Sequence, residues 1–144
     1  MITDNWTLSG AASFLESELV EDYRRSASSP EPDAPAGSRL PRVPEVKWNV
    51  STRYTFANEW FAQAAYMYTG DSYNDLFGGF RQLQGSYDVV NASFGLERSN
   101  WTAEVYVQNL TDERGDVWIN DVNWDERVTI NQPRTIGFRW QQRF

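Results

Sequence analysis

Residues Val46-Lys47-Trp48-Asn49-Val50-Ser51-Thr52-Arg53-Tyr54-Thr55-Phe56 decide the fold. Val46, Trp48, Val50, Tyr54 and Phe56 fall on one side of an extended chain, and Lys47, Asn49, Ser51, Arg53 and Thr55 on the other. A repeat of two belongs to a strand with one dry and one wet face, whereas an amphipathic helix repeats at about 3.6 residues. The same division returns on both sides of this stretch. Upstream, over about 5–17, Trp6, Leu8, Ala12 and Phe14 alternate with Thr7, Ser9, Ala11 and Ser13. Downstream, over about 60–69, Trp60, Ala62, Ala64, Tyr66 and Tyr68 oppose Gln63, Ala65, Met67 and Thr69, with Phe61 and Met67 as apolar exceptions on the wetter side. Over about 86–97, Val90, Ala92, Phe94 and Leu96 oppose Asn91, Ser93, Gly95 and Glu97. Over about 101–110, Trp101, Ala103, Val105 and Val107 oppose Thr102, Glu104, Tyr106 and Gln108. From about 133 to the end, Ile136, Phe138, Trp140 and Phe144 oppose Thr135, Gly137, Arg139, Gln141 and Arg143. Six such stretches predict an all-β chain, an antiparallel meander of about six long strands.

The connections fall into two classes in strict alternation. Ala57-Asn58-Glu59 and Arg98-Ser99-Asn100 are hairpin turns. Between them lie long loops of about 27 residues (Glu18 to Pro44), about 16 (Gly70 to Gly85) and about 22 (Thr111 to Gln132). Loops of that length are uncommon in compact domains. Short turns at one end and long loops at the other are the pattern of outer-membrane barrels, with turns in the periplasm and loops outside. Length agrees: about 10 residues at about 3.3 Å each, tilted about 45°, rise about 23 Å against an apolar band of about 25 Å. Trp6, Trp60, Trp101, Tyr66 and Tyr68, near strand ends, then belong to the aromatic girdles. A soluble β-sandwich alternates in the same way. The second reading is therefore a soluble all-β module of the carbohydrate-binding type, with its Trp-rich faces buried between two sheets.

Composition removes other classes. The 144 residues hold 13 Lys plus Arg and 20 Asp plus Glu, a net charge of −7, with no His and no Cys. A disulfide framework, a thiol nucleophile and imidazole acid–base or metal chemistry are thereby excluded. Lys47 is the sole lysine, and an acidic chain repels phosphate backbones, so nucleic acid is not an expected partner. Aromatic residues make up 15% of the chain while mean hydropathy is −0.63, and no apolar run approaches the about 18 residues of a membrane helix. No positive and apolar leader opens the chain at Met1. Nothing lifts Glu16 and Glu18 above ordinary loop carboxylates, so no enzymatic activity, cofactor or resident metal is expected.

Three stretches carry a resemblance to the C-terminal part of TonB-dependent outer-membrane receptors. Leu40-Pro41-Arg42-Val43-Pro44 leads into Trp48-Asn49-Val50-Ser51 and Tyr54; Val105-Tyr106-Val107-Gln108-Asn109-Leu110-Thr111-Asp112 resembles the family's strand ending in Asn-Leu-x-Asp; Pro133-Arg134-Thr135-Ile136-Gly137-Phe138 resembles its closing strand, which runs to Phe144. The motif residues are thus Asn109, Leu110, Asp112, Pro133 and Arg134. The resemblance spans residues 1–144 and implies the last six strands of a twenty-two-stranded barrel, with Met1 an internal residue of a longer receptor and no counterpart of the N-terminal plug or TonB box. It implies residence in the outer membrane of a Gram-negative bacterium, contact with outer-membrane lipid, and coupling to the TonB complex through the missing N-terminal region. It also implies uptake of a scarce nutrient of the ferric siderophore, cobalamin or oligosaccharide class. Ile136, Phe138, Trp140 and Phe144 resemble the signal read by the barrel-assembly machinery, with Gln142 departing where an apolar residue is usual.

Further expectations concern single residues. The long loops carry Tyr73, Phe77, Phe80, Trp118 and Trp124 with Arg81 and Arg114, candidates for ligand contact at the outer mouth. Inward-facing Arg53, Glu104, Tyr106, Arg139 and Arg143 are expected to line the lumen or pair against the plug. Five Asn-x-Ser/Thr sequons, at Asn5, Asn49, Asn91, Asn100 and Asn109, mark hydrated positions rather than glycosylation, because several lie within strands. Asp121-Val122-Asn123-Trp124-Asp125 resembles the start of a calcium loop, but lacks the Gly that should follow and has Gln132 where a Glu is needed, so it reads as a solvated acidic loop.

Overall fold

A computed structural model describes residues 4–77, 79, 81–122 and 125–144, with the side chains of 121, 122, 125 and 126 outside the description. Six long strands form one antiparallel sheet: β1 (Trp6–Phe14), β2 (Val46–Thr55), β3 (Trp60–Thr69), β6 (Tyr87–Glu97), β7 (Trp101–Gln108) and β10 (Thr135–Gln142). They lie side by side in chain order, so the meander expected from the alternation is the one observed. Four short strands lie inside the long loops, β4 (Ser72–Tyr73) with β5 (Leu83–Gln84), and β8 (Asp116–Val122) with β9 (Asp125–Ile130). The β8–β9 hairpin occupies a stretch that reads as an acidic loop. Its apolar residues Val117, Ile119, Val128 and Ile130 are interleaved with Asp, Asn and Arg, and a register shift between Asp116 and Trp118 breaks their alternation.

Register preserves the two faces across all six long strands. Trp6 stands opposite Tyr54 and Leu8 opposite Thr52; Trp48 faces Tyr68 and Val50 faces Tyr66; Trp60 faces Leu96 and Ala62 faces Phe94; Val105 faces both Phe94 and Phe138. A slip of one residue would exchange the faces wholesale, so the apolar pattern itself fixes the pairing. On the apolar face the aromatics gather in two belts. At the turn end Trp60 stacks on Phe94 (5.1 Å), Trp101 on Trp140 (4.7 Å) and Tyr54 meets Phe56 edge-on (4.8 Å). At the loop end Trp48 stacks on Tyr66 (5.0 Å) and on Tyr68 (5.9 Å). Between the belts the face carries aliphatic and small residues, Val50, Ala64, Val90, Ala92, Val105 and Val107 among them.

No second layer covers this face within the described residues. Ile136 and Phe138 are 71% and 65% exposed, and the buried hydrophobic residues among those described are Ala34, Phe61 and Ile119. The sandwich reading required the Trp-rich faces to be enclosed between two sheets, and the single sheet leaves them open. An apolar surface of this extent is a lipid or partner surface rather than that of a soluble monomer. Among the described residues the outer strands β1 and β10 each pair on one side alone, so the sheet does not close on itself.

The opposite face is polar, and two glycines shape it. Gly95 lies opposite Phe61, and a Cβ there would run into the Phe61 ring and the Ala103 carbonyl. Gly137 lies opposite Tyr106, whose ring occupies the space of the missing side chain. Each aromatic lies across a bare strand position, a cross-strand device that seats a large ring on the sheet. Phe61, an exception to the alternation by sequence, is 1% exposed because it fills the Gly95 gap beneath the Arg53 guanidinium at 3.8 Å. At the turn end the 3-10 turn Ala57–Glu59 reverses the chain with Asn58 and Glu59 at φ 66° and 67°. Glu59 pairs with Arg98 of the neighbouring turn, tying the two hairpins together.

Candidate functional site

Three groups of residues stand apart from the plain barrel wall: a charged inner surface, a hydrogen-bonded knot at the base of the third long loop, and a cluster where the three loops meet.

The inner surface is a trough of about 410 Å³ lined by Arg53, Gln63, Asn91, Glu97, Glu104, Tyr106, Arg139 and Arg143 with their polar neighbours. Opposite charges face one another across this surface, Arg139 and Glu104 on neighbouring strands and the other pairs across an intervening strand. Arg53 pairs with Glu97 at 2.6 Å, Arg139 with Glu104 at 2.5 Å, and Arg143 approaches Glu97 at 3.9 Å. The Arg139 guanidinium also lies over the Tyr106 ring at 5.0 Å. Of the five residues expected on the inside, four are held in ion pairs (Arg53 and Arg143 with Glu97, Arg139 with Glu104) and Tyr106 lies beneath Arg139, so the surface is polar and carries both signs rather than a field of one. Nothing in it has the geometry of an acid–base pair or a nucleophile with its base.

Asn109 organises the second group. The strand β7 ends one residue before it, and Asn109 turns the chain with φ 52°, a left-handed conformation that Asn tolerates better than most residues. Its side chain satisfies every polar atom it has. Nδ2 donates to the Glu113 carbonyl (2.9 Å) and the Gln132 carbonyl (2.8 Å), and Oδ1 accepts from the Glu113 amide (2.9 Å). Its backbone amide donates to Asn91 Oδ1 on the neighbouring strand (2.9 Å). Three residues on, Asp112 accepts from the Arg134 amide (2.9 Å) and from Arg114 Nη2 (3.1 Å). The Arg134 amide bond, foremost, and the Arg114 guanidinium hold the Asp112 carboxyl below its ordinary range, against an opposing push from partial burial. Arg134 in turn reaches the Leu110 carbonyl at 3.4 Å. The Asn-Leu-x-Asp and Pro-Arg segments thus meet in space and close the base of the third loop.

The third group is the loop cluster. Tyr73 lies between two guanidinium groups, Arg81 at 3.8 Å and Arg39 at 5.4 Å. Phe77 carries Arg25 at 3.6 Å, and Trp118 carries Arg42 at 5.1 Å. Asn74 binds the second loop to the third, donating from Nδ2 to the Ile119 carbonyl (3.3 Å) while its Oδ1 accepts from the Gln82 amide (2.6 Å). Four of the residues singled out from sequence, Tyr73, Phe77, Arg81 and Trp118, are brought to this end. Arg114 sits instead in the knot, on Asp112. Phe80 and Trp124 lie outside the described residues, as do Asn123 and the calcium-loop side chains around it. Sequence reading missed Arg25, Arg39 and Arg42, which supply most of the cations. Their only advance signal is a first loop with several arginines near its two ends. It also missed Gln84, 2% exposed in β5, whose amide nitrogen and oxygen find no hydrogen-bond partner.

With this geometry in view, comparison with known proteins gives three results. The sequence model of the family described as TonB dependent receptor-like, beta-barrel matches residues 2–110. Among curated proteins nothing matches the chain. Solved structures match in fold. The siderophore receptor PiuA from Acinetobacter baumannii has a TM-score of 0.75 at 21% identity, covering 96% of this chain and 19% of that one. The ferric yersiniabactin uptake receptor FyuA from Yersinia pestis has a TM-score of 0.72 at 21% identity, covering 96% and 21%. The ferric-catecholate import receptor Fiu from E. coli K12, in its closed form, has a TM-score of 0.71 at 20% identity, covering 96% and 19%. The chain therefore spans about a fifth of the length of each of these receptors.

Proposed function

Because the chain belongs to the TonB dependent receptor-like β-barrel family, we propose that it is a section of barrel wall from an outer-membrane receptor that imports a ferric siderophore. The observation that carries this reading is the sheet itself: one continuous apolar face with an aromatic belt at each end, and one polar face of paired charges. Lipid asks for the first and an aqueous lumen for the second. The siderophore class is supported by solved neighbours described as a siderophore receptor, a ferric yersiniabactin uptake receptor and a ferric-catecholate import receptor.

In this reading residues 1–144 form the C-terminal portion, and the wall closes when β10 and β1 each find a partner strand from the rest of the barrel. Open strand edges in lipid cost several kcal/mol per unpaired group. Outer-membrane lipid covers Ile136, Phe138 and Trp140, and the barrel-assembly machinery reads them together with Phe144. The TonB complex acts on the receptor through its N-terminal region. Tyr73, Phe77, Arg81 and Trp118 present the loop-end surface that a ligand meets first. The role of this section is wall, loops and assembly signal rather than catalysis.

The test is genetic. Deleting the reading frame that contains these residues, in its own host under iron limitation, abolishes growth on at least one ferric siderophore, and restoring the frame restores growth. Unchanged use of every ferric siderophore offered, with loss of cobalamin or oligosaccharide uptake, moves the receptor to another substrate class. Unchanged uptake of all three overturns the transport reading.

A further inference from the structure

Arg24 and Arg25 are the only two adjacent basic residues in the chain. They lie in the first long loop, where every residue from Val20 to Ser28 is exposed and none belongs to a named strand or helix. Small side chains, Ser26, Ala27 and Ser28, follow the pair. What holds this tip is local: Tyr23 bridges to Ala34, the Arg25 amide donates to Asp33 (2.7 Å), and Arg24 pairs with Asp22 at 3.8 Å. The Arg25 guanidinium rests on the Phe77 ring at 3.6 Å. Exposed ion pairs and guanidinium-on-ring contacts are weak and screened by salt, so the tip belongs to the low-stability end of the structure.

Exposed loop tips with small and polar residues are where a folded chain is nicked, because a protease takes up its substrate as an extended segment. The other basic residues stand singly. Many of them are also withdrawn: Lys47 and Arg139 lie in the ladders of β2 and β10, Arg39 and Arg81 are half-buried, and Arg114 and Arg134 sit in the Asn109 knot. Below the tip the two arms of the loop are fixed to each other. Leu40 donates its amide to the Ser17 carbonyl (3.0 Å), Leu19 to the Ser38 carbonyl (3.0 Å) and Leu15 to the Glu45 carbonyl (2.8 Å). The arms then run into the β1–β2 ladder, paired from Phe14–Val46 to Trp6–Tyr54.

We propose that the Arg24–Arg25 bond is a limited-proteolysis site for an endoprotease whose pockets hold a cation on each side of the cleaved bond, and that the cut chain stays assembled as two pieces. Carboxylates in the two pockets are the chemistry that recognises successive guanidinium groups. Hydrolysis consumes one water: its oxygen joins the Arg24 carbonyl carbon as the bond to the Arg25 nitrogen breaks, and both its protons pass to that nitrogen. One piece then ends in an Arg24 carboxylate and the other begins with an Arg25 ammonium. The arms below the tip and the β1–β2 ladder keep the pieces together. In the receptor reading the loop faces outward, so the enzyme is one that acts at the cell surface. That placement rests on the receptor reading; the susceptibility of the bond does not.

Limited digestion of the full reading frame, purified in detergent and read by mass spectrometry and gel mobility, tests the site. Trypsin at limiting amounts makes its first cut within this loop at Arg24 or Arg25, and the nicked protein keeps the mobility of the folded one. An endoprotease that requires a basic residue on both sides of the bond gives a single new terminus, Arg25-Ser26-Ala27-Ser28. R24Q and R25Q each slow that enzyme at least about tenfold. Trypsin still cuts either single variant at the arginine that remains, which separates recognition of the pair from exposure alone. A first tryptic cut outside this pair, equal cutting of the parent and both single variants by the two-sided enzyme, or loss of folded mobility on nicking overturns the proposal. The same two-sided enzyme added to intact cells cuts the bond if the loop faces outward. Cutting of the purified protein with sparing of intact cells upholds the site and contradicts the outward placement.

Discussion

Asn109 Nδ2 donates to the backbone carbonyl of Gln132 at 2.8 Å, joining the two ends of the third long loop. The residues are 23 apart in sequence, and the intervening chain builds its own hairpin, β8 with β9. Asn109 is 2% exposed, so its own side-chain polar atoms are kept from solvent and depend on these partners. The Asn-Leu-x-Asp stretch singled out in the sequence is a loop-closing device in the structure.

Replacing Asn109 by Ala strands the amide of Glu113 and two carbonyls at once. Leaving buried groups without partners costs about 1–3 kcal/mol each, partly recovered where water enters. We expect N109A to lower barrel stability by about 2–4 kcal/mol in a urea titration with folding followed by gel mobility. N109D keeps the acceptor and loses the donor, and falls between N109A and the parent.

Gly137 and Gly95 make room for Tyr106 and Phe61. G137V and G95V each force a ring from its seat, with a cost of about 1–3 kcal/mol expected from overpacking. Y106A in the G137V background recovers part of the loss, since the clash has been removed from the other side. The same urea titration reads both.

The Asp112 carboxyl is held low by the Arg134 amide first and the Arg114 guanidinium after it. A carboxyl depressed in the folded state stabilises fully above its ordinary value of 3.8 and loses that contribution as pH falls toward the lowered value. Proteolysis of residues 111–133 should therefore be constant from pH 7 to pH 5 and accelerate below about 4. D112N removes this acid-dependent component and is more susceptible than the parent at neutral pH.

Trp101 and Trp140 stack at 4.7 Å across the last strand pair, next to Gln142, which faces Trp101 in the register. A double-mutant cycle with W101A and W140A should give a coupling of about 0.5–1.5 kcal/mol. Q142F places a ring beside this stack and should raise the yield of assembled barrel.

The six strands were legible because alternation acts on one residue at a time: Trp48, Val50 and Tyr54 on one side, Asn49, Ser51 and Arg53 on the other, with no need to know the partner strand. The alternation of long and short connections was legible for the same reason. The loop end was not. Arg25 meets Phe77 and Arg42 meets Trp118 through contacts with no period and no fixed spacing, set by how three loops fold over one another. The β8–β9 hairpin was hidden because its acidic residues outweigh Ile119 and Val128 in any local average. The Asn109 motif was visible as a pattern, but its reason required Glu113 and Gln132 in three dimensions. Phe61 broke the alternation for a reason that sits on another strand, at Gly95.

Single cysteines placed along alternating positions test the central claim most directly, since the chain has none of its own. Val50, Ala64 and Val105 lie on the apolar face, and Ser51, Gln63 and Ser93 on the polar one. With the full frame in the outer membrane, a charged water-soluble maleimide should label the second set and spare the first, residue by residue, as read by mass spectrometry. Equal labelling of both sets, or recovery of the protein outside the membrane fraction, would contradict a barrel wall with lipid on one side and water on the other.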